Sequence, residues 1–314
     1  MARKLRIQFP GAIYHVINRG NYRRNLFESA RAIQAFEACV FEAFELFQWR
    51  MHGFSLMINH FHLVLETPAA NLPEGMQWLQ STYATRFNRF RQEQGHLFQG
   101  RYKAILVEPG PSLARVVNYV HLNPVEAGIV PAAGVAGYRW SSLHYFLRGP
   151  RPPFLVCAEW LRELELEDTA EGWRDYLRYL EQLANDKKDQ RAQDFESMNC
   201  GWAIGTHGWR VALAKDYARR PIPQVADAAA VAELKRLQWE GVLEAALRRA
   251  GRPQTDLAAH RKGAPWKIDL AAELRRTTTA TNSWIAAELH MGAPSSVRQY
   301  LSDRRRQPVR ISAL

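Results

Sequence analysis

Two pairs of side chains in this sequence have types and spacings that could do chemistry. His60 and His62 are separated by one residue in HFHLVLE; in a strand, alternate side chains share a face, so two such imidazoles could hold a divalent ion. Tyr119 and Asn123 are four residues apart near the end of a helical pattern, which brings a phenol and an amide onto neighbouring turns. An amide oxygen is a reasonable hard ligand beside imidazoles for Mg or Mn.

Each pair also has an ordinary structural explanation. A His-x-His sequence in a strand is usually accidental, and a tyrosine on a helix is more often packed than nucleophilic. An asparagine before a proline, as in Asn123-Pro124, is a common way for a helix to stop. The two pairs therefore leave both a catalytic and a structural interpretation open.

Seven elements must position these side chains. Alternating β-favouring residues predict strands, and apolar residues at helical spacing predict helices. The last helix should start at Pro111 and end near Leu122, because Pro124 cannot continue it. The predicted elements are strands at 12–20, 50–58, 60–66 and 102–108 and helices at 30–47, 72–93 and 111–122. The first six follow the ferredoxin-like order, so we expect an α+β fold with helices on one face of an antiparallel sheet.

Five stretches, taken in order, resemble the single-tyrosine HUH transposases, and most closely the REP-associated tyrosine transposases. They are NRGNYRRNLF at 18–27, MINHFHLVLETP at 57–68, GHLFQGRYKAILVE at 95–108, YVHLNPVEAG at 119–128 and YRWSS at 138–142. The resemblance covers about the first 145 residues. It implies an HUH nuclease fold, with the histidine pair on a central strand and the nucleophilic tyrosine on a nearby helix.

The resemblance also implies roles for the two pairs. His60 and His62 would be metal ligands, Asn123 a third ligand, and Tyr119 the nucleophile that forms a 5′-phosphotyrosine link with single-stranded DNA; many relatives carry Gln where Asn123 stands. A phenol has a pKa near 10 and needs a cation or a base to attack at neutral pH. A divalent metal, Mg or Mn, is therefore the expected cofactor, and nothing in the chain resembles a nucleotide-binding loop.

The charge of the chain favours a polyanionic partner. Its 42 Lys and Arg residues against 31 Asp and Glu residues give a net charge of +11, which attracts nucleic acid, although a solvated basic surface would look the same. The three cysteines are too few and scattered for a disulfide framework. No apolar run is long enough to span a bilayer and the first residues lack a signal peptide, so we expect a cytoplasmic protein. As a DNA-binding protein it would be associated with the nucleoid. We expect it to be a monomer or a homodimer.

Three polar clusters are candidate DNA contacts, since such side chains bind phosphates and can read base edges. They contribute Arg19, Asn21, Arg23 and Arg24; Arg89; and Gln99, Arg101 and Lys103. Phe87, Phe90 and Phe98 could stack on unpaired bases, but helical spacing makes the first two core residues by default. Each arginine is equally explained as solvated surface.

We expect three parts along the chain. Residues 1–150 would be the nuclease domain, ending at a Pro-rich segment, and 151–230 a helical linker region without functional signals. In 231–314, the stretch from Ser283 to Arg306 resembles a helix-turn-helix with a long turn, ending in Arg304, Arg305 and Arg306; a plain helical hairpin is the alternative.

The leading hypothesis is a single-strand DNA nickase and strand transferase acting at REP-like hairpins. The rival is a non-catalytic, sequence-specific DNA-binding regulator on the same fold.

Overall fold

A computed structural model describes residues 7–216 and 228–306. These residues form two compact units, which we describe separately. The first comprises residues 7–206, and the second comprises 207–216 with 228–306.

A five-stranded sheet forms the centre of the first unit. Its strands are β1 Ala12–Arg19, β2 Arg50–Met57, β3 His60–Thr67, β4 Lys103–Val107 and β5 Ala203–Ile204. The order is β2-β3-β1-β4-β5, and the first four strands are antiparallel, as predicted. The two-residue β5 adds parallel to β4, so the sheet is mixed. Sequence alone gave no signal for β5, because two residues carry no alternation pattern.

Helices cover both faces of the sheet. The first unit contains α1 Ala30–Leu46, α2 Leu72–Arg91, α3 Pro111–Glu126, α4 Ser142–Arg148, α5 Ala158–Arg162, α6 Ala170–Asn185 and α7 Lys187–Ala192. On one face, Phe36 of α1 packs against Phe61 of β3 with ring centroids 4.9 Å apart. On the other face α3 lies so close to β2 that a Cβ added at Gly53 would be 3.5 Å from Val117. The expectation of helices on one face was wrong, because the apolar residues of α3 are buried against the opposite face of the sheet.

The helix α3 also continues past Pro124 to Glu126, where the sequence predicted its end near Leu122. Proline lacks an amide hydrogen and costs a helix one bond, but here the helix resumes at once, with the Ala127 amide donating to the Asn123 carbonyl at 3.0 Å. Asn123 is consequently inside the helix, one turn after Tyr119.

Residues after 150 belong to the core of this first unit, beyond the boundary that the sequence predicted. Trp160 and Tyr176 are completely buried. The Tyr176 hydroxyl lies 2.8 Å from Nδ1 of His121 and donates to Oδ1 of Asn118 at 3.0 Å. Both partners are on α3, so α6 sets the orientation of the helix that carries Tyr119.

The YRWSS stretch ties α1, β2 and α3 together. Arg139 donates to both carboxylate oxygens of the buried Glu37 at 3.0 and 3.1 Å. The Ser142 hydroxyl accepts from the Phe54 amide at 2.8 Å and lies 2.8 Å from Nε2 of His121. These bonds pair groups that are otherwise costly to bury, so this motif has a structural role.

The second unit is helical, as predicted. Its helices are α8 His207–Asp216, α9 Ala228–Arg249, α10 Asp256–Ala259, α11 Pro265–Thr277, α12 Asn282–Glu288 and α13 Pro294–Arg306. Leu270 and Leu274 of α11 form a common core with Ile285 of α12 and Val297 of α13. No helix in the described ranges is long and apolar enough to cross a membrane.

Candidate active site

The histidine pair lies at the end of β3 that follows the two-residue turn from β2. His60 pairs with Arg19 and His62 with Ile17 across the antiparallel ladder, so both imidazoles project from the face covered by α3. Their ring centroids are 5.1 Å apart. The period of two predicted from the sequence is thus present, and the pair meets the helix that carries Tyr119.

The hydrogen bonds of His60 leave one ring nitrogen with a free electron pair. Nδ1 lies 2.7 Å from Oδ1 of Asn59, and Nε2 lies 3.3 Å from Oδ1 of Asn123. Burial lowers the pKa of His60, so the ring is neutral and has one N–H to share between two acceptors. With Nδ1 donating to Asn59, the lone pair of Nε2 faces the Asn123 oxygen, and two electron-rich atoms converge where a cation would fit.

The proton on His62 is placed by a second histidine. Nδ1 of His15 lies 3.0 Å from the Met198 carbonyl, which only accepts, so His15 carries its proton there. Burial lowers the pKa of His15 to about 4, which keeps the ring neutral. Nε2 of His15 must then accept from Nδ1 of His62 at 2.9 Å. Nε2 of His62 is left as an unprotonated ligand atom, the arrangement that metal-binding histidines need.

Tyr119 lies beside this pair. Its ring centroid is 5.8 Å from that of His62, and its hydroxyl oxygen accepts a hydrogen bond from the side-chain amide of Asn199. Burial raises the pKa of Tyr119, while hydrogen bonds from Asn199 and Asn123 act in the opposite direction. The resting side chain is a neutral phenol, and its activation requires that developing negative charge on the oxygen be stabilised.

These side chains open into one cavity of about 770 Å³. The cavity is lined by the four candidate catalytic residues together with Ile17, Asn18, Arg19, Asn59, Gln99, Arg101, Lys103 and Asn199. Three of the lining residues are cationic and none is acidic, which suits a phosphate. Among the described residues, no three His, Cys, Asp or Glu side chains are grouped to hold a metal, so a metal here would need the Asn123 oxygen.

The predicted DNA contacts divide into two sets. Arg19, Gln99, Arg101 and Lys103 line the cavity, because the 97–99 segment is bound to the end of β1 through backbone bonds such as Gln99 amide to Arg19 carbonyl at 2.8 Å. The remaining side chains of the first unit lie elsewhere: Asn21 is half-buried, Arg89 is exposed on α2 and Arg24 pairs with Glu93 at 2.9 Å. The side chain of Arg23 lies outside the described residues.

The three phenylalanines considered for base stacking also differ in exposure. Phe87 and Phe98 are buried, whereas Phe90 is 75% exposed, so its assignment to the core by helical spacing was wrong. Tyr83 on α2 is also buried and donates to the Leu26 carbonyl at 3.3 Å, so it is a packing residue.

Residues 8–123 match the family model described as Transposase IS200 like. This segment is therefore similar to the IS200-like transposases. No curated protein matches the chain. Among solved structures, the chain is similar to a REP-associated tyrosine transposase bound to a REP hairpin, at 15% identity and a TM-score of 0.41, covering 49% of this chain and 90% of that one.

Four residues of this candidate site were not found from the sequence. Asn59 and His15 orient the histidine pair, and Met198 and Asn199 come from the segment for which we expected no role. Asn59 carries a local signal, since it adjoins His60. The other three contact the site only through the fold, 47 to 183 residues away from their partners.

Proposed function

We propose that the chain is a metal-dependent DNA nickase and strand transferase that acts through Tyr119. The observation that carries the proposal is the convergence of His60, His62, Tyr119 and Asn123 in one cavity whose charged lining is entirely basic. The family match of residues 8–123 supports a transposase of this kind.

In the proposed reaction, the Tyr119 oxygen attacks phosphorus in a single strand of DNA. A bond forms between the phenol oxygen and phosphorus, and the bond from phosphorus to the 3′ oxygen breaks. The phenol loses its proton, the 3′ oxygen gains one, and the 5′ end remains linked to the tyrosine. A 3′-hydroxyl from another strand reverses the step, so strand transfer needs no ATP because the phosphotyrosine link preserves the phosphodiester energy.

His60, His62 and Asn123 would hold the metal. The donor set fits, because Nε2 of His62 is unprotonated, Nε2 of His60 is unprotonated when its Nδ1 donates to Asn59, and the amide oxygen of Asn123 carries no proton. A bound Mg²⁺ or Mn²⁺ would supply polarisation of the scissile phosphate and favour ionised phenol nearby. Arg19, Arg101 and Lys103 would hold the adjoining phosphates.

The substrate that we propose is a REP-like hairpin with a single-stranded flank, as the sequence motifs imply. The cavity contains polar side chains suited to phosphates and base edges, such as Gln99 and Arg101. The exposed Phe90 beside Arg89 offers a stacking surface for an unpaired base.

The decisive experiment is capture of the covalent intermediate. Incubation of the full chain with hairpin-bearing single-stranded DNA and Mn²⁺ should give an adduct that survives denaturation. Tyr119→Phe should abolish the adduct and leave DNA affinity within about twofold, since only the phenol oxygen is lost; Tyr83→Phe is the control. An adduct with Tyr119→Phe would refute the assignment of the nucleophile. Absence of an adduct with the wild type at saturating DNA would favour the non-catalytic regulator.

We also propose that α12 and α13 bind duplex DNA as a helix-turn-helix. Five residues, 289–293, separate the two helices. The outward face of α13 carries Ser295, Arg298, Gln299 and Ser302, all exposed and spaced at helical intervals, and such side chains read base edges in the major groove. Between residues 256 and 306 there are nine Lys and Arg residues against five Asp and Glu.

Of the three terminal arginines, the structure describes the side chain of Arg304 alone. Arg304 pairs with Asp269 at 2.7 Å, and the side chains of Arg305 and Arg306 lie outside the described residues. Within the described part of the chain, Arg298 has no hydrogen bond or ion pair and remains available for a phosphate or a base. We therefore choose Arg298 to test the proposed duplex contact.

Arg298→Ala in the full chain tests this contact. Loss of one phosphate contact should lower duplex affinity and reduce the slope of log affinity against log salt by about 0.9. The control is Arg248→Ala, which removes an exposed charge of the same unit on α9. Equal effects of the two substitutions would show that only overall charge is sensed, and the groove-reading role of α13 would be rejected.

A further inference from the structure

We propose that Asn199 is a catalytic residue that donates a hydrogen bond to the nucleophilic oxygen of Tyr119. The inference rests on the proposed tyrosine chemistry and extends it to a residue 76 positions beyond the segment that matches the transposase family. Its basis is the direct contact in which the Asn199 side-chain amide donates to the phenol oxygen.

The segment Phe195–Asn199, which we term the strap, is bound to the active site at four points. The Phe195 ring stands edge-on to Tyr119 with centroids 5.4 Å apart. The Met198 carbonyl accepts from His15, and the Asn199 carbonyl accepts from the Lys103 ammonium at 2.7 Å. The Asn199 side chain makes the fourth contact, to Tyr119. The strap therefore contacts the proposed nucleophile Tyr119, His15, which bonds to His62, and Lys103 of the cavity lining.

The direction of the Asn199 bond determines what it can do. A side-chain amide nitrogen only donates, so the bond is strengthened when negative charge develops on the phenol oxygen and weakened when that oxygen is neutral. Starting from neutral phenol, the transition state carries more charge on this oxygen than the resting state does. A fixed donor there lowers the barrier in the forward step and also stabilises the departing phenolate when the covalent link is resolved.

Asn199 differs from Tyr119 in its exposure to solvent. Tyr119 is almost completely buried, whereas Asn199 is exposed at the edge of the cavity. The Asn199 amide therefore contacts the phenol oxygen from the open side of the site. Asn123, the other amide near Tyr119, lies within α3 and is assigned to the metal.

Three full-length variants test the inference by single-turnover adduct formation, with protein in excess over a hairpin-bearing oligonucleotide and Mn²⁺ present. Asn199→Ala removes the donor. Asn199→Asp keeps the shape but places an acceptor and a negative charge beside the phenol oxygen. Ser197→Ala is the matched control, because Ser197 lies on the strap but its hydroxyl bonds only to Asp194 and it does not line the cavity. DNA affinity and melting temperature are measured for each protein.

We expect Asn199→Ala to slow adduct formation at saturating DNA by about 10- to 100-fold, as for loss of one charge-assisted donor, with unchanged DNA affinity. Asn199→Asp should be slower still, although its shape is preserved, and Ser197→Ala should match the wild type. A rate for Asn199→Ala equal to or above the wild-type rate would overturn the inference, as would Asn199→Asp faster than Asn199→Ala. If the wild type forms the adduct and Asn199→Ala forms it equally fast, only the role of Asn199 is overturned. If the wild type forms no adduct, the proposed function is overturned as well.

Discussion

His15→Phe should weaken metal binding although His15 is not itself a proposed ligand. The substitution keeps a buried ring of similar size but removes the acceptor, 2.9 Å away, that places the His62 proton on Nδ1. In this variant, either the buried Nδ1–H of His62 has no acceptor, or His62 carries its proton on Nε2, the atom that would bind the metal. An unpaired buried donor costs about 1–3 kcal/mol, which corresponds to roughly 5- to 150-fold in affinity; loss of an outer partner of a metal-binding histidine typically costs 10- to 100-fold.

The affinity is measured by titrating Mn²⁺ into the DNA-free protein and following the free ion by electron paramagnetic resonance. This readout does not depend on catalysis. His52→Phe is the control, since His52 is equally buried but lies 3.8 Å from Glu66 on the other side of β3. If His15→Phe binds Mn²⁺ as tightly as the wild type while His62→Ala does not, the proposed relay from Met198 through His15 does not orient His62.

Two further predictions follow from the site and the fold. His60→Ala and His62→Ala should each eliminate adduct formation, as should EDTA with the wild type, whereas Asn123→Ala should be less severe because water can replace an amide ligand; full activity in EDTA would contradict the metal mechanism. Arg139→Ala should lower the free energy of unfolding by about 2–3 kcal/mol, measured by urea denaturation, because it leaves the buried carboxylate of Glu37 without its partner; a change below about 0.5 kcal/mol would show that water replaces the guanidinium.

Local sequence patterns were sufficient to predict most elements of the sheet and the candidate chemistry. A period of two places His60 and His62 on one face of a strand, and a spacing of four brings Tyr119 and Asn123 close together at the end of a helix. The strand order then brings the two pairs together, which follows from the ferredoxin-like succession of elements. Pro124 misled the prediction of the helix end, because the loss of one bond near a C-terminus is tolerated when the flanking turns are buried.

What could not be predicted depends on contacts between distant residues. The strap reaches Tyr119 from 80 residues away, and the linker expected at 151–230 contributes Trp160 and Tyr176 to the core around α3. The same applies to the end of the chain. Removing residues 283–314, which looks from the sequence like deletion of a basic tail, would also remove Ile285 and Val297 from the core of the second unit, so Arg298→Ala is the cleaner test of its role.

Burial has opposite effects on the two halves of the proposed chemistry. It lowers the pKa of His60 and His62, so both rings stay neutral and ready to bind a cation. The same burial raises the pKa of Tyr119 and disfavours the charged nucleophile. A site that keeps its ligands deprotonated by excluding water must therefore stabilise the phenol oxygen by other means. In the mechanism that we propose, the Asn199 amide and a cation held by the histidines would both stabilise that oxygen, which gives a residue beyond the family-matched segment a role in the site.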